Sequence, residues 1–125
     1  MSPKMVYVVD DDRQILQLLG EALKKSGYNT IAASDGKRAL DLVKDKKPDM
    51  IIMDMAMPQA GGYEVLKALQ CADNRDIPIL LISGAEKDAS LQQILTNESN
   101  VRGFLAKPLK VTDVLDKVNE ILKEP

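Results

Sequence analysis

The chain has 125 residues, 45% of them apolar, enough for one domain with its own hydrophobic core. Seventeen Lys and Arg against 19 Asp and Glu give a formal charge of −2, which offers no basic face for nucleic acid. With no histidine, the chain cannot build a Ser-His-Asp triad or a histidine metal site, and it cannot carry a phosphohistidine.

Residues 6–9, Val-Tyr-Val-Val, read as a first strand that runs into Asp10, Asp11 and Asp12. Asp12 is a natural N-cap for a helix whose apolar stripe is Ile15, Leu18, Leu19, Ala22 and Leu23, and Ser26-Gly27 stops it. Residues 28–33 form a weaker strand, and Asp35-Gly36 opens a second helix through Leu40, Leu42 and Val43. Pro48-Asp49 precedes the strand over residues 50–53, which delivers Asp54. Residues 55–61, with Pro58 and two glycines, cannot be helical throughout, and a third helix is predicted near residues 62–70. Pro78 suits the entry of a strand over residues 79–82, followed by Ser83. A fourth helix is predicted over residues 85–95, a polar connection over 97–102 and a fifth strand over 103–106, leading to Lys107-Pro108. The last helix carries Val111, Val114, Leu115, Val118, Ile121 and Leu122 at helical spacing.

Five βα units in succession predict a parallel sheet with helices on both faces, all strand C-termini lying on one edge. The acids sit at that edge, where such sheets bind ligands. There is no repeat or linker. The single Cys71 cannot form an internal disulfide, and aromatics are too few for a stacking platform. The start has no apolar leader, and no apolar run approaches the roughly 18 residues of a membrane span, so a cytoplasmic chain with no membrane contact is expected.

Carboxylates at two strand ends are hard oxygen ligands and suit Mg²⁺ or Mn²⁺ better than zinc. A Mg²⁺ takes one or two carboxylates plus phosphate oxygens, which leaves an aspartate able to act as a nucleophile. Lys107 supplies a point charge and Ser83 a hydroxyl for a transferring phosphoryl group. The chemistry expected is phosphoryl transfer onto a carboxylate. Each residue alone has a plainer reading: Asp12 as a cap, Ser83-Gly84 as a turn, Lys107-Pro108 as a boundary. The joint pattern of acid, acid, hydroxyl and lysine after strands one, three, four and five favours a site.

Over nearly its full length the chain resembles the receiver (response-regulator, chemotaxis-regulator-like) domains of two-component signalling. The matching motifs are Val8-Val9-Asp10-Asp11, Met53-Asp54-Met55-Ala56-Met57-Pro58 with Gly62, Ile82-Ser83-Gly84-Ala85, and Lys107-Pro108. The resemblance implies an α/β, flavodoxin-like, doubly wound (βα)5 fold with a five-stranded parallel sheet of order 2-1-3-4-5, for which receivers are a standing example. It implies that Asp54 is the phosphoacceptor and that Asp11 directly, Asp10 through water, Asp54 and the backbone carbonyl of Ala56 hold Mg²⁺. Lys107 and Ser83 are then catalytic, with Ser83 in place of the commoner Thr, and the Lys107–Pro108 bond is expected to be cis. Ser83 and Phe104 form the switch, and Ala56 and Ala85 border the path of the water that hydrolyses the aspartyl phosphate.

The implied function is Mg²⁺-dependent transfer from a phosphohistidine donor, a histidine kinase or histidine phosphotransfer protein, to Asp54. The switched output is the face of the fourth helix, fifth strand and fifth helix, toward an unnamed downstream target and a phosphorylation-linked homodimer. The chain would catalyse its own phosphorylation and dephosphorylation but act chiefly as a regulatory switch. One receiver domain over residues 1–125, without an output domain, is expected. The alternative is a Mg²⁺-dependent aspartyl-phosphate phosphohydrolase. Such enzymes want a second Asp two residues after the nucleophile, where this chain has Ala56. A flavin-binding flavodoxin is disfavoured because acids after strand one would repel the FMN phosphate.

Overall fold

The computed structural model describes residues 3–55, 62–71, 73–84 and 100–122. One sheet contains β1 (Met5–Val9), β2 (Asn29–Ala33), β3 (Met50–Asp54), β4 (Ile79–Ser83) and β5 (Val101–Ala106). Every pairing is parallel and the order is β2-β1-β3-β4-β5, as expected. The four helices among the described residues are α1 (Arg13–Lys25), α2 (Gly36–Asp45), α3 (Gly62–Ala68) and α4 (Val111–Leu122). Helix α4 is the last predicted helix; the one predicted over residues 85–95 lies outside the described residues.

Strands β3 and β4 are buried at every position, which is why they read as unbroken apolar runs. Alternate side chains feed opposite faces of the sheet. Val6, Val8, Met50, Ile52, Leu80 and Ile82 pack with Leu19 and Leu23 of α1 and Val114 and Val118 of α4. Tyr7, Val9, Ile51, Met53, Ile79 and Leu81 pack with Ala39 and Val43 of α2 and with Val65 and Leu66 of α3. Each fully buried Leu or Ile contributes about 1.5–3 kcal/mol, so the sheet is a rigid platform. No helix among the described residues is long and apolar enough to cross a membrane.

Local chemistry sets the helix ends. Asp12 Oδ1 accepts from the N–H groups of Gln14 and Ile15 at 2.9 and 3.4 Å, a cap worth about 1 kcal/mol. At the other end of α1, Gly27 N–H donates to the Lys24 carbonyl and Tyr28 N–H to the Leu23 carbonyl, both at 3.0 Å. Gly27 has φ 95°, a left-handed conformation that glycine adopts without a Cβ penalty. That turn sends the chain back along β1 as β2. The predicted single stripe on α1 divides: Leu19 and Leu23 are buried, whereas Leu18 is exposed. Successive helical residues are turned by about 100°, so Leu18 points away from the sheet that covers Leu19.

Strand β5 starts before the predicted Gly103, because the stretch read as a polar connection contains Val101, which is buried and paired with Ile79. The next pair is Leu80 with Gly103, so Arg102 is accommodated as a bulge. A Cβ on Gly103 would stand 3.2 Å from Leu80 Cδ1, and glycine permits that close approach. Asn100 is buried too: its Nδ2 donates to the Ile77 carbonyl at 3.1 Å, and its carbonyl accepts from Ile79 N–H at 2.8 Å.

Candidate functional site

Because β1 and β3 are neighbouring parallel strands, their C-terminal ends bring Asp10 and Asp54 to the same edge of the sheet. Asp10, Asp11 and Asp54 each place a carboxylate oxygen within 4.8 Å of the others. Ser83 ends β4, next to β3, and Lys107 follows β5, next to β4. Lys107 N–H donates to the Ser83 carbonyl at 2.9 Å, extending the β4–β5 ladder, and the Lys107–Pro108 peptide is cis. From there Lys107 Nζ donates to Asp54 Oδ2 at 3.1 Å and stands 3.4 Å from Asp10 Oδ2.

Burial divides the acids. Asp10 and Asp54 are 1% and 2% exposed, whereas Asp11 faces solvent. Asp10 N–H donates to the Ala33 carbonyl at 3.1 Å, and Asp10 Oδ1 accepts from Asp12 N–H at 2.9 Å. Among the described residues, buried Asp10 Oδ2 has no hydrogen-bond donor; Lys107 offers it an ion pair without hydrogen-bond geometry. Burial pushes the Asp10 carboxyl up to about 6, the Asp12 N–H opposes that shift, the Asp54 charge adds to it, and Lys107 again opposes it. Burial pulls the Lys107 ammonium down, but the bond to Asp54 and the charges of Asp10 and Asp54 outweigh it, so its pKa lies above the ordinary lysine value.

Among the described residues, three clustered carboxylates with one ammonium beside them leave excess negative charge, and a buried oxygen of Asp10 has no donor. An oxygen-only donor set of this kind fits a hard divalent cation such as Mg²⁺.

The structure thus brings together Asp10, Asp11, Asp54 and Lys107 and sets Ser83 at the same edge, 5% exposed. Phe104 lies in β5 opposite Leu81, half-buried against the core on the α2 and α3 side. Ala56 and Ala85 lie outside the described residues. Asp12 is the cap that the sequence suggested, but its N–H also fixes Asp10, a contact the sequence reading missed. The signal was present, since an Asp side chain readily accepts from the N–H two residues on.

The family model for the response regulator receiver domain matches residues 6–119. The alkaline phosphatase synthesis transcriptional regulatory protein PhoP of Bacillus subtilis is 36% identical over 120 residues, covering 96% of this chain and 49% of PhoP. The transcriptional regulatory protein CpxR of Escherichia coli is 34% identical over 118 residues, 94% of this chain and 49% of CpxR. The chain spans about half the length of these curated relatives. The crystal structure of the chemotaxis protein CheY4 of Vibrio cholerae superposes with a TM-score of 0.87 at 29% identity, over 97% of this chain and 100% of that one.

Proposed function

This chain belongs to the response regulator receiver domain family, and on that footing we propose that it is a phosphorylation-controlled switch with Asp54 as phosphoacceptor. One observation carries the reading: Asp54 is paired with Lys107 at 3.1 Å inside a cluster of three carboxylates. In the reaction a carboxylate oxygen of Asp54 attacks phosphorus. The P–N bond of a phosphohistidine breaks, and its electron pair leaves with the imidazole. The product is a mixed anhydride on Asp54. Lys107 faces the charge on the transferring oxygens, and the Ser83 hydroxyl donates to one of them. With no histidine among these 125 residues, the phosphoryl group comes from a phosphohistidine outside them, that of a histidine kinase or histidine phosphotransfer protein.

Asp10, Asp11 and Asp54, with the backbone carbonyl of Ala56, would hold Mg²⁺. Bound there, the ion neutralises charge on the phosphoryl oxygens. With Mg²⁺ and acetyl phosphate, the intact mass should rise by one phosphoryl group. A chelator should prevent the gain while leaving the circular dichroism of the fold unchanged. No mass gain from either acetyl phosphate or a phosphohistidine donor in the presence of Mg²⁺ would sink the reading.

Output is proposed to run from Ser83 to Phe104 and onto the face that contains β5, α4 and the helix predicted over residues 85–95. A phosphoryl oxygen gives Ser83 a bond absent from the unphosphorylated state, and a population shift needs such a differential contact. Phe104 sits one strand away, its ring free of any hydroxyl that would tie it to water. Ser83→Ala should therefore still accept phosphate but lose most of the NMR shift changes at Phe104 and its neighbours on adding beryllofluoride. Changes as large as in the wild type would rule out this route.

A further inference from the structure

Asp10 and Asp12 lie two residues apart, and Asp11, a second member of the acid cluster, stands between them. The two oxygens of the buried Asp10 carboxylate have different surroundings. Oδ1 accepts from Asp12 N–H at 2.9 Å, and Oδ2 stands 3.4 Å from Lys107 Nζ. The Asp12 N–H thus fixes the plane of the carboxylate, and with it the direction in which the second oxygen points. Asp12 is held in turn by α1. Its Oδ1 accepts from the N–H groups of Gln14 and Ile15 at 2.9 and 3.4 Å, and its carbonyl accepts from Leu16 N–H at 3.1 Å. Its backbone is extended, with φ −87° and ψ 108°, the conformation that suits a cap. Leu19 and Leu23 fix α1 to the sheet. A continuous path therefore runs from the core through α1 and the Asp12 side chain to the carboxylate of Asp10.

We propose that the Asp12 side chain is a positioning residue for the acid site. By capping α1 it keeps its own N–H against Asp10, and so sets the spacing of the Asp10 and Asp11 carboxylates for a divalent cation. This rests on the metal reading given under Proposed function. Asp12 is not itself a ligand: its Oδ1 is taken up by the first turn of α1, and it stands outside the group of three acids whose oxygens converge. An ordinary cap stabilises its helix and does nothing more. Helix α2 has one in Asp35, whose Oδ1 accepts from Arg38 N–H at 2.8 Å. The bond to Asp10 sets Asp12 apart. Mg²⁺ demands near-ideal octahedral geometry, so a ligand whose orientation drifts binds it poorly, and groups that orient ligands change metal affinity markedly. Loss of Asp12 also removes a negative charge near the site. Asn and Ser separate the two effects, since both cap a helix well and neither is charged.

Mg²⁺ titrations of the unphosphorylated chain, followed by amide NMR shifts, test this. Asp12→Ala should bind Mg²⁺ about tenfold more weakly than the wild type. Asp12→Asn and Asp12→Ser should stay within about twofold of it, because they keep the cap. Asp35→Ala should lower the melting temperature much as Asp12→Ala does, yet leave Mg²⁺ affinity unchanged. In chelator, hydrogen exchange at the amide of position 12 should be faster in Asp12→Ala and return to the wild-type rate in Asp12→Asn, a readout that involves no metal. An Asp12→Ala affinity equal to the wild type overturns the proposal. So do Asn and Ser variants as weak as Ala, which would assign the effect to charge. An equal loss in Asp35→Ala would assign it to general destabilisation and overturns the proposal too. A wild type that binds no Mg²⁺ at any concentration overturns the metal reading itself and this proposal with it.

Discussion

Lys107→Ala should slow phosphorylation by a small donor about 10²–10³-fold, the usual cost of losing one charged donor to a developing anion. The lysine is held by two carboxylates, at 3.1 Å from Asp54 and 3.4 Å from Asp10, so its ammonium is already in place before the phosphoryl group arrives. Its removal has a second effect of opposite sign. Without the competing ammonium, the three acids attract a divalent cation more strongly, so Mg²⁺ affinity should rise while the transfer rate falls. Misfolding would lower both. Lys107→Arg should not restore the rate, because a planar guanidinium cannot take the place of a compact charge in a buried crevice. Initial rates by intact mass spectrometry, together with Mg²⁺ titrations, separate these outcomes. A Lys107→Ala rate equal to the wild type would remove the lysine from the reaction.

In chelator, Asp10→Asn should stabilise the domain, and the gain should depend on pH. The folded carboxyl of Asp10 lies at about 6 against 3.8 for the free group. Between those values the folded state holds a proton that the unfolded state has lost, so stability falls as pH rises through the interval. The penalty is absent below the unfolded value and complete above the folded one, where the shift corresponds to about 3 kcal/mol. Asparagine keeps an oxygen for the Asp12 N–H and carries no charge. Melting curves in chelator should therefore place the variant above the wild type well above pH 6, with the gap closing in acid. In saturating Mg²⁺ the wild type should recover, since ligand bound only to the folded state adds stability. A variant that melts lower than the wild type in chelator on the alkaline side would contradict the burial argument.

The fold was legible where physical cause is local. Strands β3 and β4 announce themselves because a strand covered on both faces must be apolar throughout, and Asp12 and Ser26-Gly27 mark the ends of α1 by chemistry that acts within one turn. What the sequence hid depends on distant parts of the chain. Asp10, Asp11 and Asp12 are the same residue three times, yet one is buried with no donor to its Oδ2 among the described residues, one faces solvent and one caps a helix. Only the packing around β1 separates them. Asn100 looked like loop and is buried because its amide serves the Ile77 carbonyl, 23 residues away. Tyr7 looked like plain core, but its hydroxyl donates to the Lys46 carbonyl at the end of α2. Leu18 fitted an apolar stripe by spacing, and only the actual width of the sheet contact shows that the stripe is too broad to be covered by one face.

The site of phosphorylation tests the central claim most directly. The wild type should be loaded with a small phosphodonor in Mg²⁺, its acyl phosphate trapped by borohydride reduction, and the modified residue located by peptide mapping, beside Asp54→Asn treated identically. The expected result is one modified residue, Asp54, and no adduct in the variant. Modification of Asp10, Asp11 or any other residue in the wild type, or an undiminished adduct in Asp54→Asn, would contradict the account.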